Sequence, residues 1–221
     1  MPSSTSSSKD RIPQGPHGLQ LLLFFVSLAL IIVLVEVYWR AHDYRPSITD
    51  SKLAWSLDRS QAAEHENTLA LLGASRLQLN INQKALEDLY PNTPIINLGI
   101  NGISPVAVLE DFANDENFHG MIVMSLAEYH FFPKQIKRGR AWVNYFHTTF
   151  QEYASLDERI SESVKTYVQS HFASFSSHLN LKRVVRSNLK PKKLYLHMSQ
   201  DRYRPASYHD RMTEKQRAMH Q

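Results

Sequence analysis

The residues of this sequence that could carry chemistry lie in three short segments, each directly after an apolar run. Gly73-Ala-Ser-Arg76 follows one run, residues 97–104 end the second, and Ala127-Glu-Tyr-His130 closes the third. Ligands of parallel sheets bind beyond the carboxyl ends of the strands, so a site is expected in these segments. A serine hydroxyl such as that of Ser75 needs an adjacent base to become a nucleophile. By position, His130 is the candidate for that base.

The composition excludes several other kinds of site. The 221 residues contain no cysteine, which removes disulfides, thiolate zinc sites, iron–sulfur ligation and a cysteine nucleophile. The sequence also lacks an H-E-x-x-H motif, a glycine-rich phosphate loop and a dinucleotide fingerprint. We therefore expect neither a metal ion nor a cofactor.

The pattern of residues 67–133 predicts the strands and helices that position this site. Three apolar runs (TLALL, TPIIN and MIVM) alternate with two helical patterns, one from Asn82 to Tyr90 and one starting at Ser104-Pro105. Runs that are apolar throughout, rather than alternating, are typical of parallel strands covered on both faces. The pattern predicts an α/β fold with a flavodoxin-like, three-layer α/β/α sheet. The sheet should be incomplete, because no later apolar run could supply further strands.

The order LLGASR, NLGINGIS and an apolar strand resembles the SGNH (GDSL-type) hydrolase superfamily. The resemblance implies that Ser75 is the nucleophile and that the amide of Gly102 helps to form the oxyanion hole. The variant Gly-x-Ser-Arg behind an apolar N-terminal helix is more similar to membrane-anchored proteins that work with membrane-bound O-acyltransferases on cell-surface polymers. What this implies is an esterase or O-acyltransferase acting on acyl (acetyl) esters of a polysaccharide or envelope polymer outside the cytoplasmic membrane.

Two blocks of that family pattern are missing. Where Gly-x-Asn-Asp is expected the chain has Ala127-Glu-Tyr-His130, so the oxyanion asparagine is replaced by Tyr129. No aspartate is followed three residues later by histidine, so the Asp-x-x-His block that holds the general base is also absent. The alternative expectation is therefore a catalytically inactive or truncated accessory protein, which binds a membrane-bound O-acyltransferase or its polymer.

The N-terminal region predicts a membrane anchor. Residues 1–17 are rich in serine, proline and glycine and should form a disordered tail, whereas residues 18–40 are predominantly apolar and carry no charge apart from Glu36 and Arg40. Such a run can cross a bilayer, and Tyr38 and Trp39 stand where an interfacial aromatic belt is expected. The alternative is a cleaved signal peptide, but no small-x-small cleavage site follows. We expect one uncleaved span of the cell (inner) membrane, with the C-terminal domain extracytoplasmic or periplasmic.

The rest of the chain consists of two regions, a linker before the sheet and a basic region after it. Residues 41–66 predict a membrane-proximal linker with a short helix, and residues 134–221 predict a helical, basic region. The basic residues are densest between positions 182 and 193, where no acidic residue occurs. This stretch predicts attraction to anionic lipid or an acidic polysaccharide, or is simply a solvated helix face. Without a recognition motif, nucleic acid is not an expected partner.

An apolar stripe at helical spacing also lies in the basic region. It predicts a long amphipathic helix that packs its apolar face on the core or acts as a lid. The stripe consists of Tyr153, Leu156, Ile160, Val164, Tyr167, His171, Phe175 and Leu179.

Overall fold

The computed structural model describes residues 17–179, 181–187, 191 and 194–205. The predicted disordered tail, up to residue 16, and the basic residues Lys190, Lys192 and Lys193 lie outside the described residues. Helix α1 runs from His17 to Ala41 and buries none of its apolar window. Among the described residues it is the one helix long and apolar enough to cross a membrane. The predicted span is confirmed to that extent, by length and composition.

The centre of the structure is a parallel sheet of three strands. Strand β1 is Leu69–Leu72, β2 is Ile95–Asn97 and β3 is Met121–Met124, in the order β2-β1-β3. Helices α3 (Ser75–Asn80) and α4 (Gln83–Leu89) connect β1 to β2, and α5 (Val106–Ala113) connects β2 to β3. The predicted fold class, α/β with a small parallel sheet behind an apolar helix, is confirmed.

Each face of the sheet packs against helices, so the core has two halves. Ala70 and Leu72 pack with α5 and with α2 (Lys52–Gln61), whose Trp55 is fully buried. Leu69 and Leu71 on the opposite face pack against α3 and α4, together with Tyr203. Strand β1 is therefore buried on both faces, as its continuous apolar run predicts.

Helices make up most of the chain after the sheet, as predicted. Helix α6 is Pro133–Tyr145, a π-helical turn covers Phe146–Gln151, and α7 is Leu156–His171. Two 3₁₀ turns, Ala173–Phe175 and Ser177–Leu179, lead to α8, Leu181–Arg186. The chain then returns to the core, where the amide of Met198 donates to Ser47 Oγ (3.0 Å) and Arg204 N donates to Gln78 O (2.8 Å).

The interpretation of the apolar stripe as core-facing is wrong for α7. Leu156 is 73% exposed, and Ile160, Val164 and Tyr167 are each more than half exposed. The face turned to the protein is polar instead, because its side chains bond the segment before α2. Glu162 Oε1 accepts from Ser51 Oγ (2.8 Å), and Gln169 Oε1 accepts from the amide of Thr49 (2.9 Å). These bonds orient the helix and leave the apolar face, named here the α7 stripe (Leu156, Ile160, Val164 and Tyr167), uncovered by the described residues.

Candidate functional site

Backbone hydrogen bonds bring the three predicted segments to one edge of the sheet. Leu98 N donates to Leu71 O (2.9 Å), Ile100 N donates to Gly73 O (2.9 Å), and Ser125 N donates to Leu72 O (2.8 Å). The loops that follow β1, β2 and β3 are therefore neighbours at the carboxyl edge. This is the edge at which a parallel sheet binds its ligands.

Ser75 is placed by a tight turn at the end of the central strand. Ala74 is in an extended conformation, and Ser75 is the first residue of α3. A Cβ on Gly73 would lie 2.8 Å from Leu77 Cβ, so only glycine lets the chain turn this closely over the next helix. Ser75 is partly exposed, and its Oγ makes no hydrogen bond within the described residues. The hydroxyl can therefore be reached, and no base among the described residues is bonded to it.

Gly102 lies in the loop after β2 with a positive φ of 65°. A Cβ built there would meet nothing within 4 Å, so the left-handed backbone, not crowding, explains the glycine. Its carbonyl oxygen accepts a hydrogen bond from Arg138 Nη1 at 3.1 Å. The loop is thus held by α6, and no side chain at position 102 obstructs the edge.

His130 is buried at the end of the loop after β3, with 2% exposure. Its Nδ1 accepts a hydrogen bond from the amide of Ala127 (3.1 Å), and its Nε2 is buried without a partner. Burial, and then the positive charge of Arg76, lower the pKa of the His130 ring, so the ring is neutral at pH 7. Because Nδ1 accepts, the proton of the neutral ring is on Nε2. In this state His130 can donate a hydrogen bond, but it cannot accept the proton of a serine.

The structure therefore brings the three predicted residues to one edge without joining them in a catalytic chain. Ser75 Oγ has no partner, Gly102 bonds α6, and His130 bonds its own loop. In the part of the chain that the structure describes, no three His, Asp or Glu side chains are grouped to hold a metal ion.

A groove beside this edge contains Arg76, the last residue of the Gly-x-Ser-Arg motif, to which the sequence interpretation gave no role. The groove has a volume of about 780 Å³ and is open to solvent. Arg76, the residue after Ser75, forms one wall, and the loop after β3 forms the other. That second wall consists of Leu126, Ala127, Glu128, Tyr129, Phe131 and Phe132. The groove offers apolar surface for an acyl chain, with one cation and one carboxylate. Its only sequence signal is the position of Arg76 directly after Ser75.

A second arginine, Arg202, was missed by the sequence interpretation, and it organises the loop after β2. Its guanidinium is 1% exposed and donates to the carbonyls of Asn97 (3.2 Å) and Gly99 (3.0 Å). Its Nη1 lies 2.7 Å from Asp50 Oδ1, and its Nε lies 3.4 Å from Asp58 Oδ2. Desolvation by burial raises the pKa of Asp58 to about 7, although the side chain keeps 29% exposure. Arg202 occurs in a polar stretch with no periodicity, so no sequence pattern pointed to it.

Arg202 also determines what Asn97 does. Asn97 Oδ1 accepts from the amide of Gly99 (3.0 Å), and its Nδ2 donates to the carbonyl of Arg202 (3.4 Å). The side chain of Asn97 thus holds its own loop and the returning C-terminal segment in place. Its amide group is therefore engaged in structure.

These features define an α/β protein with a three-stranded parallel sheet, an apolar N-terminal helix and a strand-end edge that presents a free serine. No family model, no curated protein and no solved structure matches the chain.

Proposed function

We propose that this chain is a membrane-anchored SGNH-like esterase or O-acyltransferase for acyl esters, such as acetyl esters, of an extracytoplasmic polysaccharide or envelope polymer. The observation that carries the proposal is the free hydroxyl of Ser75 at the carboxyl end of the central strand. In the proposed reaction the hydroxyl attacks the ester carbonyl, and the acyl group passes to Ser75 as the alcohol leaves. Water or a sugar hydroxyl then takes the acyl group from Ser75.

The sidedness of the domain belongs to the same proposal. We place the residues before α1 in the cytoplasm and the residues after it outside the inner membrane. There the serine has access to polymer esters.

His130 is the candidate base of the site, and its hydrogen bonds oppose transfer of the Ser75 proton to it. To accept a proton at Nε2, the ring must move its own proton to Nδ1. The amide of Ala127 would then face a second donor, and its hydrogen bond, worth about 0.5–1.5 kcal/mol, would be lost. We expect slow turnover by this chain alone, with a base supplied by a partner such as a membrane-bound O-acyltransferase.

Chemical rescue tests this proposal on the full chain in detergent. A fluorophosphonate probe should label Ser75 slowly, and free imidazole, which replaces the missing base, should accelerate that labelling. Ser75→Ala should remove the label, whereas Ser125→Ala, at the end of the neighbouring strand, should keep it. Mass spectrometry of the labelled peptide identifies the modified serine. If imidazole produces no label on Ser75, this serine is not a nucleophile and the enzymatic proposal is wrong.

A second candidate function, an accessory protein that binds a membrane-bound O-acyltransferase or the polymer, is favoured by the α7 stripe. This apolar face is exposed, and its helix ends at the membrane anchor, since Arg40 Nη2 donates to the carbonyl of His171 (2.6 Å). A face of this kind, close to a bilayer, suits a partner that is itself a membrane protein.

The two candidates differ in the variants to which they are sensitive. The accessory function predicts that Ile160→Glu lowers the ester content of the envelope polymer in cells, while Ser75→Ala leaves it unchanged. The enzymatic function predicts the loss with Ser75→Ala. Leu89→Glu, at an exposed apolar position on α4, is the matched control and should have no effect in either case.

A further inference from the structure

One face of the last turns of α1 packs against residues 172–179 and 181–187, named here the collar. Trp39 and Tyr44 pack with Ala173, Leu179 and Val184 in a small core of their own. Polar contacts fix the same junction. The amide of Ala173 donates to Glu36 Oε1 (2.9 Å), and the amide of Ser174 donates to Glu36 Oε2 (3.0 Å).

The length of α1 outside the collar places the collar at a bilayer surface. The face of the helix that carries Glu36 and Trp39 is buried against the collar, whereas the apolar side chains of residues 19–35 are free of protein contacts that would bury them. At about 1.5 Å per residue, residues 19–35 span about 26 Å, close to the ~30 Å hydrocarbon core of a bilayer. With this stretch in the hydrocarbon, the collar lies at the level of the lipid headgroups.

The surface of the collar has the composition that this level requires. Phe175 is 49% exposed and Val185 is 60% exposed, and both are too large and apolar to be left in water without a cost. The collar contains three basic residues and no acidic one, namely Lys182, Arg183 and Arg186. The adjoining residues 36–45 add Arg40 and Arg45 against Glu36 and Asp43, so the whole junction has a net charge of +3.

We propose that the collar is a binding surface for anionic phospholipid headgroups. Val184 points into the small core, which leaves Val185 and Arg186 on the outer side of α8. The side chains of Phe175 and Val185 enter the headgroup region, and Arg186 binds lipid phosphate. This surface is separate from the strand-end edge, so it holds the domain against the membrane whatever reaction Ser75 carries out.

Single cysteines test the proposal without background, because the chain has none of its own. The full chain, with Val185→Cys or the control Leu89→Cys, is labelled with a fluorophore and placed in nanodiscs of phosphatidylcholine with increasing phosphatidylglycerol. Lipids with a headgroup nitroxide serve as quenchers. We expect quenching at position 185 that increases with the phosphatidylglycerol fraction, and no quenching at position 89.

A charge variant separates headgroup binding from simple proximity. One basic residue at a membrane surface contributes about 1 kcal/mol, so Arg186→Gln should raise the phosphatidylglycerol fraction at half-maximal quenching about fivefold. Arg140→Gln, an exposed arginine on α6, should not change it. An unquenched label at position 185, or quenching that ignores both phosphatidylglycerol and Arg186→Gln, would overturn the proposal.

Discussion

Replacing Arg202 with methionine should remove the strongest polar contact between the C-terminal segment and the sheet. The guanidinium is buried; it forms ion pairs with Asp50 and Asp58 and donates hydrogen bonds to two carbonyl oxygens. Removing one partner of a buried ion pair costs about 3–5 kcal/mol, because the remaining charge stays buried without compensation. Since Arg204 Nη2 remains 3.3 Å from Asp50 Oδ2, we expect the lower limit, a loss of about 3 kcal/mol in the free energy of unfolding.

Methionine is preferred to glycine for this test. Arg202 has a φ of 61°, and glycine would relieve the backbone strain while it removed the charge. Urea unfolding of the full chain in detergent micelles, followed by tryptophan fluorescence, gives the free energy. Arg140→Met is the matched control, because this arginine pairs with Glu110 at an exposed site and should cost at most about 1 kcal/mol. Equal losses for the two variants would refute the reasoning, since the Arg202 network would then be hydrated like a surface pair.

Three further predictions concern titration and backbone geometry. Because the pKa of His130 is lowered in the folded state, the stability it contributes is lost as the pH falls below about 6.5; the unfolding free energy of His130→Gln should depend less on pH in that range. The pKa of Asp58 is raised to about 7 from 3.8, so the unfolded state loses its proton first and the free energy of unfolding falls as the pH rises through this interval. Asp58→Asn should reduce the pH dependence of the free energy of unfolding in this interval. An unchanged slope would exclude a protonated Asp58. Gly120→Ala places a Cβ 2.1 Å from Thr68 O and should lower the unfolding free energy by about 1–3 kcal/mol, whereas Gly102→Ala meets no atom and should cost only the left-handed backbone term of about 1–2 kcal/mol.

Strand β1 could be predicted from the sequence because a strand that is buried on both faces has apolar residues at every position. The same rule describes β3 only in part. Met121 and Val123 lie on the face that α3 and α4 cover at β1 and β2, yet both side chains are about half exposed. A run of apolar residues reports that a strand can be covered. It does not report whether a covering element is present.

The contacts of the C-terminal segment could not be predicted for a different reason. Arg202 bonds Asp50, Asp58, Asn97 and Gly99, which are all more than a hundred residues before it in the chain. Pairing of this kind depends on the finished shape of the loops, and it leaves no periodic pattern. The direction of α7 was misread because hydrophobicity was taken to mark the inner face. In the structure, the hydrogen bonds of Glu162 and Gln169 determine which side faces the protein.

The bonds between Glu36 and the collar couple the domain mechanically to helix α1. A flexible linker would let α1 tilt in the bilayer while the domain kept its own orientation. Here Glu36, well inside the helix, is bonded to Ala173 and Ser174, and Arg40 is bonded to His171 at the end of α7. Helices adjust their tilt to the thickness of the membrane. With α1 in a bilayer, as proposed above, a change in bilayer thickness would turn the domain together with the helix, and the direction in which the strand-end edge faces would depend on the lipid.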